Sequence, residues 1–379
     1  MTGFLALCGG LFLLLAMHPF VTYPLTLLLL RRKSVGGPGP RSAPTSFAIC
    51  MCAYNEERVI EAKMLNLMRI KERHPGLEIL LYVDCSTDRT AEIVSRYRQD
   101  VLLVDSKERR GKTFGMNLLV SKTDADIIVF TDANVMLADE ILERLDAHFA
   151  DPRIGCVSGQ LTYTNPGDSV TAASSGLYWR LEEFIKRLEQ RSGSIMGADG
   201  SLFAIRRSLH KQPPEHIIDD MYVSLMVLCA GYRVVQATDV CAYEESATSG
   251  REEFQRKVRI ACQAFNVHRL IWPHLRKLDA LTLYKYTSHK YLRWMTIYWI
   301  GLSAASFGVA LLTAGRPGAA FGLLVALPGL LVLSLRWPVP LLSRLADALL
   351  AFVGVGLGVW RSIRGEVFQT WTPASSVRK

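Results

Sequence analysis

The sequence predicts an α/β fold, an open sheet with helices on both faces, with transmembrane helices at both ends of the chain. Three observations carry that expectation. Short runs rich in Val, Ile, Leu or Phe alternate with segments of helical spacing between Phe47 and Ala150, the rhythm of parallel βαβ units. Apolar residues concentrate near the two ends, which accounts for a chain that is 50% hydrophobic with a mean hydropathy of +0.18. Acidic or amide-bearing motifs follow three of the strand-like runs, and open α/β sheets bind ligands beyond the carboxyl ends of their strands.

Gly3–Leu30 is nearly free of charge and long enough to cross a bilayer as a helix, and His18-Pro19 should kink it. No basic residue precedes it and no small-residue cleavage site follows it. It therefore reads as a retained anchor at residues 1–30 rather than a secretory signal. Arg31-Arg32-Lys33 comes next, and the positive-inside rule places the following domain in the cytoplasm. Residues 31–46, rich in Gly, Pro and Ser, form a flexible linker. A domain over residues 47–250 follows. Its expected strands are Phe47–Cys52, Leu77–Val83, Val101–Val104 and Asp126–Thr131. Its expected helices are Glu57–Lys71, Thr87–Tyr97, Lys112–Ser121 and Ala138–Ala150. Ile127–Phe130 is apolar throughout, as a strand buried on both faces should be. Val170–Gln190 and Met221–Ala230 have helical spacing, while Gly193–Arg206 is rich in Gly and Ser.

Residues 251–290 read as amphipathic, interfacial helices with a basic cluster. Phe254, Val258, Ala261 and Phe265 share one face of Glu252–Leu270. Three apolar stretches, Tyr291–Ala314, Gly318–Leu335 and Leu341–Trp360, make up an expected membrane region at 291–360, with a tail at 361–379. One span before the domain and three after it would put Arg361, Arg364, Arg378 and Lys379 on the outer face, against the charge rule. Either one stretch lies in the interface or re-enters, or the tail is an exception.

The net charge of +9 gathers at Arg31–Arg41, Arg251–Lys277 and Lys285–Arg293, beside apolar spans. Contact with anionic membrane lipid explains it. Nucleic acid is not an expected partner, because no binding motif or basic-aromatic repeat appears. The eight cysteines are scattered, and Cys50 and Cys52 lack the second pair that a zinc site needs. A reducing compartment suits them.

Six motifs hold the candidate chemistry. Ala53-Tyr54-Asn55-Glu56 follows the first strand, where Asn55 and Glu56 serve either as helix caps or as ligands. Asp84 ends the second strand ahead of Ser86-Thr87-Asp88; the hydroxyls suit capping and Asp84 suits a ligand. Gly111-Lys112 opens a helix, where a lysine opposes the dipole unless an anion is near. Asp132-Ala133-Asn134 projects two oxygen ligands from a strand end, suited to a hard cation such as Mg²⁺ or Mn²⁺ beside phosphate, or else forms an Asx turn. Asp219-Asp220 precedes a helix, and two adjacent acids are more than a cap needs. One of them suits general-base work. Arg256 and Arg259 lie three apart on a helix, either facing lipid or clamping a diphosphate.

Taken together these motifs resemble the family 2 glycosyltransferases, the GT-A group that includes cellulose, chitin and hyaluronan synthases and ceramide glucosyltransferase-like enzymes. The resemblance covers about Phe47 to Phe265 and implies a GT-A, Rossmann-like mixed sheet. It implies that Ala53, Asn55, Glu56 and Asp84 hold the base side of a nucleotide-sugar, with Lys112 and Asn117 in the GK…N segment. Asp132 and Asn134 stand at the family's metal-binding D-x-D, Asn134 replacing its second acid. Asp219-Asp220 stands at the E-D pair, with Asp220 the base. Phe203-Ala204-Ile205-Arg206, after Gly197–Gly200, is similar to the acceptor-side segment. Arg256-Lys257-Val258-Arg259-Ile260 carries Ile where processive members have the tryptophan of Q-x-x-R-W.

The implied activity is a single inverting displacement. It moves sugar from a UDP-sugar, with a divalent metal, onto a growing surface polysaccharide or exopolysaccharide. Transfer of one sugar to a polyprenyl, ceramide-like or hopanoid lipid is the alternative, and a non-catalytic nucleotide-binding subunit of a membrane complex is a third. A multi-pass protein of a bacterial inner membrane, with its catalytic domain in the cytoplasm, is the expected setting.

Overall fold

In the computed structural model, residues 1–31, 45–164, 170–245, 250–337 and 340–371 are described. Most of the expected linker at 31–46 and the end of the tail lie outside them. Two helices, α1 (Thr2–Met17) and α2 (Thr22–Leu29), meet at 66° around His18-Pro19. The expected N-terminal helix is thus broken where proline removes a backbone donor.

The sheet comprises β1 (Phe47–Ala53), β2 (Glu78–Val83), β3 (Val101–Asp105), β4 (Ile127–Asp132), β5 (Met136–Leu137), β6 (Ile154–Tyr163), β7 (Leu202–Arg206) and β8 (Arg233–Glu244), in the order β3-β2-β1-β4-β7-β6-β8-β5. The first four run parallel. β7 joins β4 antiparallel, so the sheet is mixed. Phe47, Ile49, Met51 and Ala53 enter the core on one face, and Ala48, Cys50 and Cys52 on the other. Alternation with both faces buried is what a central parallel strand requires. The chain moves outward from β1 through β2 to β3, then returns to β4 on the far side of β1. That reversal opens a crevice at the carboxyl ends of β1 and β4.

Helices α3 (Ile60–Arg73), α4 (Thr90–Ser95) and α6 (Ile141–Phe149) cover one face. Helices α5 (Lys112–Val120), α8 (Asp219–Cys229) and α9 (Gly250–Leu275) cover the other. The long α7 (Val170–Arg191) packs Ile185 and Leu188 against Tyr23 and Leu27 of α2. The helices expected at Glu57 and Thr87 begin three residues later, because Glu56–Val59 and Ser86–Arg89 are turns tied to each other. β6 and β8 were not anticipated in sequence. Their Ser, Gln and Thr residues blur the apolar run that marks the other strands.

After α10 (Ala280–Tyr286), a π-helical turn (Thr287–Tyr291) and the short α11 (Leu292–Trp294), the chain forms α12 (Thr296–Thr313), α13 (Pro317–Arg336) and α14 (Pro340–Ile363). Among the described residues, Thr296–Thr313 and Leu342–Ile363 are long and apolar enough to cross a membrane. The pairs α1–α2 and the two halves of α13, bent by 49° around Pro328, pass the same test if each is one span. α12 packs on α1, where Ser303 donates to the Gly9 carbonyl at 2.8 Å. α14 lies along α9. A side chain at Gly358 would meet the Val258 carbonyl and Ala261, and Ser362 donates to Asn266 at 2.6 Å. Beyond it, Glu366–Trp371 folds back over the domain.

Candidate active site

Three strand ends build the floor. At the end of β1, Asn55 takes φ 53°, and beyond β2 Cys85 takes φ 56°. Left-handed backbone at non-glycine residues is held only where the surroundings enforce it. Here the two loops clasp each other. The Asn55 backbone donates to Ser86 Oγ at 3.0 Å, and Thr87 N donates to Asn55 Oδ1 at 2.8 Å. Glu56 is buried beside them, its N–H donating to Thr90 Oγ1 at 2.8 Å. Ala53 accepts from Asp84 N at 2.9 Å, so this wall is rigid backbone.

Asp84 is fully buried and accepts from Arg110 N at 2.8 Å and Gly111 N at 3.0 Å. Its carboxylate fixes the loop ahead of α5. That loop puts Arg109 over the Tyr54 ring at 3.3 Å and brings Lys112 to the crevice. Lys112 Nζ donates to Asp132 Oδ1 at 2.6 Å. Burial alone would favour the neutral amine, but Asp132, Asp219 and Asp220 outweigh it and hold this ammonium above the ordinary lysine range. The dipole's objection to a lysine at a helix start is thereby met by anions from two other elements.

Asp219 and Asp220 form the first turn of α8. Thr113 Oγ1 donates to the Ile217 carbonyl at 2.7 Å, and Asn117 Nδ2 to the Pro213 carbonyl at 2.9 Å, which ties their loop to α5. Asp220 abuts Gly200, where any side chain would collide with its carboxylate. Burial first, then Asp219, pushes the Asp220 carboxyl upward, against the pull of Lys112 and of the Met221 N–H.

On the opposite wall, Asn134 Nδ2 donates to Glu244 Oε1 at 2.9 Å. Burial, helped by Asp132, raises Glu244 to about 7 in spite of Arg256. Arg256 also pairs with Glu253 at 3.1 Å. Arg259 is lowered by burial and by Arg256, while Asp132 acts the other way. The two arginines of α9 therefore share the field of the Asp132–Glu244 wall. Lys63, buried beneath Asp132, donates to the Val135 carbonyl and anchors the loop after β4.

Asp84, Lys112, Asp132, Asp219 and Asp220 are thus linked around one crevice, with Arg256 and Arg259 at its wall. Sequence reasoning missed Glu244, Lys63, Arg109 and the strap from Glu366 to Trp371. Glu244 carried only a weak signal, an acid closing the run Val234–Tyr243, which Gln236, Thr238 and Asp239 interrupt. The strap carried none. Its Gln369 Nε2 donates to the Arg110 carbonyl at 3.2 Å, and the Trp371 ring stands 6.2 Å from Tyr54, contacts that only folding creates.

Among the described residues no three His, Cys, Asp or Glu side chains cluster to hold a metal by themselves. The donors that are present still fit a hard cation. A carboxylate and an amide oxygen, completed by phosphate and water, are the few protein ligands that Mg²⁺ or Mn²⁺ takes beside a nucleotide. Asn134 turns its NH₂ to Glu244, which when ionised only accepts, and so turns its carbonyl the other way.

A family model described as glycosyl transferase family 2 matches residues 48–212. The chain is 25% identical over 191 residues to a poly-β-1,6-N-acetyl-D-glucosamine synthase of Staphylococcus aureus, a match covering 48% of this chain and 46% of that protein. It is 23% identical over 282 residues to an N-acetylglucosaminyltransferase of Rhizobium meliloti, covering 67% and 65%. The chain thus spans less than half of the first relative's length. A mannosyltransferase from Pyrobaculum calidifontis, solved with GDP-Man and Mn²⁺, shares the fold at a TM-score of 0.71 and 21% identity, covering 96% of this chain and 99% of that one. Residues 48–212 of this chain thus match the glycosyl transferase family 2 model, and the chain shares its fold with that mannosyltransferase.

Proposed function

We propose that this protein is an inverting glycosyltransferase that moves a sugar from a UDP-sugar to a growing polysaccharide at a membrane face. The observation that carries the reading is Lys112, held between Asp132 and the Asp219-Asp220 pair at the carboxyl edge of β1 and β4. One crevice thereby offers a cationic place for a diphosphate and an acid of raised pKa for a hydroxyl.

The wall of Ala53, Tyr54, Asn55, Glu56 and Asp84 suits the base and ribose, with Arg109 stacked on Tyr54. Asp132 and the Asn134 carbonyl would hold a divalent cation, which when bound offsets charge on the diphosphate. Asp220 accepts the proton of the acceptor hydroxyl as that oxygen attacks the anomeric carbon. Lys112, Arg256 and Arg259 stabilise charge gathering on the leaving UDP. Gly200, lacking a side chain, lets the Asp220 carboxylate lie against its backbone.

The strap and α14 favour a particular membrane arrangement. Glu366–Trp371 touches the domain, so both lie on one side of the bilayer. An even number of crossings after the domain meets this, with α12 and one of α13 and α14 spanning and the other lying in the interface or re-entering. Arg361 and Arg364 then share the domain's side, as the charge rule asks.

Asp220→Asn tests the reading. The variant is expected to fold and bind UDP but to lose transfer by about 10²–10⁴-fold, the range for removing a general base, measured as UDP release with a panel of UDP-sugars. Near-normal turnover removes Asp220 from the role, and no release by the parent protein with any donor favours the non-catalytic alternative. Transfer of a single sugar to a membrane lipid is the second reading. Ile260 favours it, standing 38% exposed where processive relatives have tryptophan. A ladder of oligomers rather than one sugar per lipid separates the two.

A further inference from the structure

Asn134 weakens the charge of the motif it belongs to, and the fold places an acid against it. Glu244 closes β8, whose Tyr243 pairs with Met136 of β5, two residues beyond Asn134. On its other side Glu244 pairs with Tyr163 of β6, and its carbonyl accepts from Thr164 N at 2.9 Å. Backbone ladders on two flanks therefore fix the carboxylate where the Asn134 amide reaches it at 2.9 Å. The trio Asp132, Asn134 and Glu244 holds the two acids and one amide that a two-carboxylate motif with an amide partner would hold, with the second acid moved across to another strand.

We propose that Glu244 is the second acid of the cation and diphosphate subsite, a positioning residue that acts on a divalent cation through the Asn134 amide. This deepens the glycosyltransferase reading and rests on it. Accepting from the NH₂ locks the amide plane, keeps the carbonyl oxygen turned away from Glu244, and makes that oxygen a stronger donor. Partners of this kind orient metal ligands and raise their basicity. Arg256, which also faces Glu244, couples the pair to the basic helix α9.

The test uses the full chain in detergent, with Mn²⁺ and UDP as probes and free Mn²⁺ followed by electron paramagnetic resonance. Glu244→Gln keeps the shape and can still accept from Asn134, but it removes the charge. It is expected to weaken Mn²⁺ binding in the presence of UDP by about tenfold or more, the scale for losing such a partner, while UDP binding without metal does not weaken. The exchange variant Asn134→Asp/Glu244→Gln puts the acid and amide in each other's places and is expected to recover most of the loss. Wild-type Mn²⁺ affinity in Glu244→Gln overturns the proposal, and so does an exchange variant as weak as the single one. Should Glu244→Gln fail to fold, the exchange variant alone decides, by retaining or losing the parent's Mn²⁺ affinity. A parent protein that binds neither Mn²⁺ nor UDP overturns the glycosyltransferase reading itself, and this inference with it; a parent that binds both leaves only the inference at stake.

Discussion

At Lys112 and Asp220 opposite charges lie half-buried in one place, and each sets the state of the other. Lys112 keeps its proton because three acids surround it, while Asp220 is raised by burial and by Asp219. The sign of the pH dependence follows. With Asp220 as the proposed base, which must be ionised to accept a proton, a raised pKa moves the acid limb of the rate profile upward. Asp219→Asn removes the negative neighbour, lowers the Asp220 pKa and should shift that limb of kcat/KM downward by about 1 unit or more. UDP release measured against pH checks it, and a limb that stays or rises contradicts it. These acids were legible in the sequence because each ends a strand or opens a helix. Their partners were not. Asp84 reads in sequence as a free ligand at a strand end, yet folding commits its oxygens to the N–H groups of Arg110 and Gly111. Nothing in spacing reveals which donors a carboxylate will meet from another loop.

Helices and strands were legible in proportion to how uniformly apolar they are. β1, β2 and β4 lie at the centre of the sheet and announce themselves as unbroken runs. β6 and β8 carry polar residues and were passed over, although β8 delivers Glu244. The α14–α9 seam is a further case. Gly358 is an ordinary glycine in an apolar stretch until α9 comes against it, where an added Cβ would stand 2.5 Å from the Val258 carbonyl and 2.7 Å from the Ala261 Cβ. Gly358→Leu should therefore part the two helices and destabilise the protein by about 1–3 kcal/mol, the usual cost of overpacking. A lower unfolding temperature, with faster proteolysis after Ile363, is the expected outcome. Unchanged melting shows that the seam yields without cost.

For the whole molecule the consequence is the sidedness of the tail. The sequence left the charge of Arg361 and Arg364 in conflict with a count of four spans, and the proposed arrangement, with the strap on the domain's side, resolves it for these two. Cysteines introduced at Arg316, between α12 and α13, and at Val367, 55% exposed in the strap, report on this. With an impermeant maleimide and vesicles oriented domain side outward, Val367→Cys should gain labelling over the parent and Arg316→Cys should not. Vesicles of the opposite orientation should reverse the result. Labelling of both from one side contradicts an even number of crossings after the domain.

Local chemistry was enough for the sequence by itself to determine the α/β alternation, the apolar frame and the kink at His18-Pro19, and to single out the candidate chemical residues. Periodicity, proline and the pairing of acids with strand ends are properties of neighbours along the chain. Only the tertiary structure decided that Lys112 sits between acids from two other elements, that Glu244 faces Asn134, and that the strap closes on Arg110 and Tyr54. Those contacts join residues 20 to 317 positions apart, and chain order carries no record of a distance that packing alone creates.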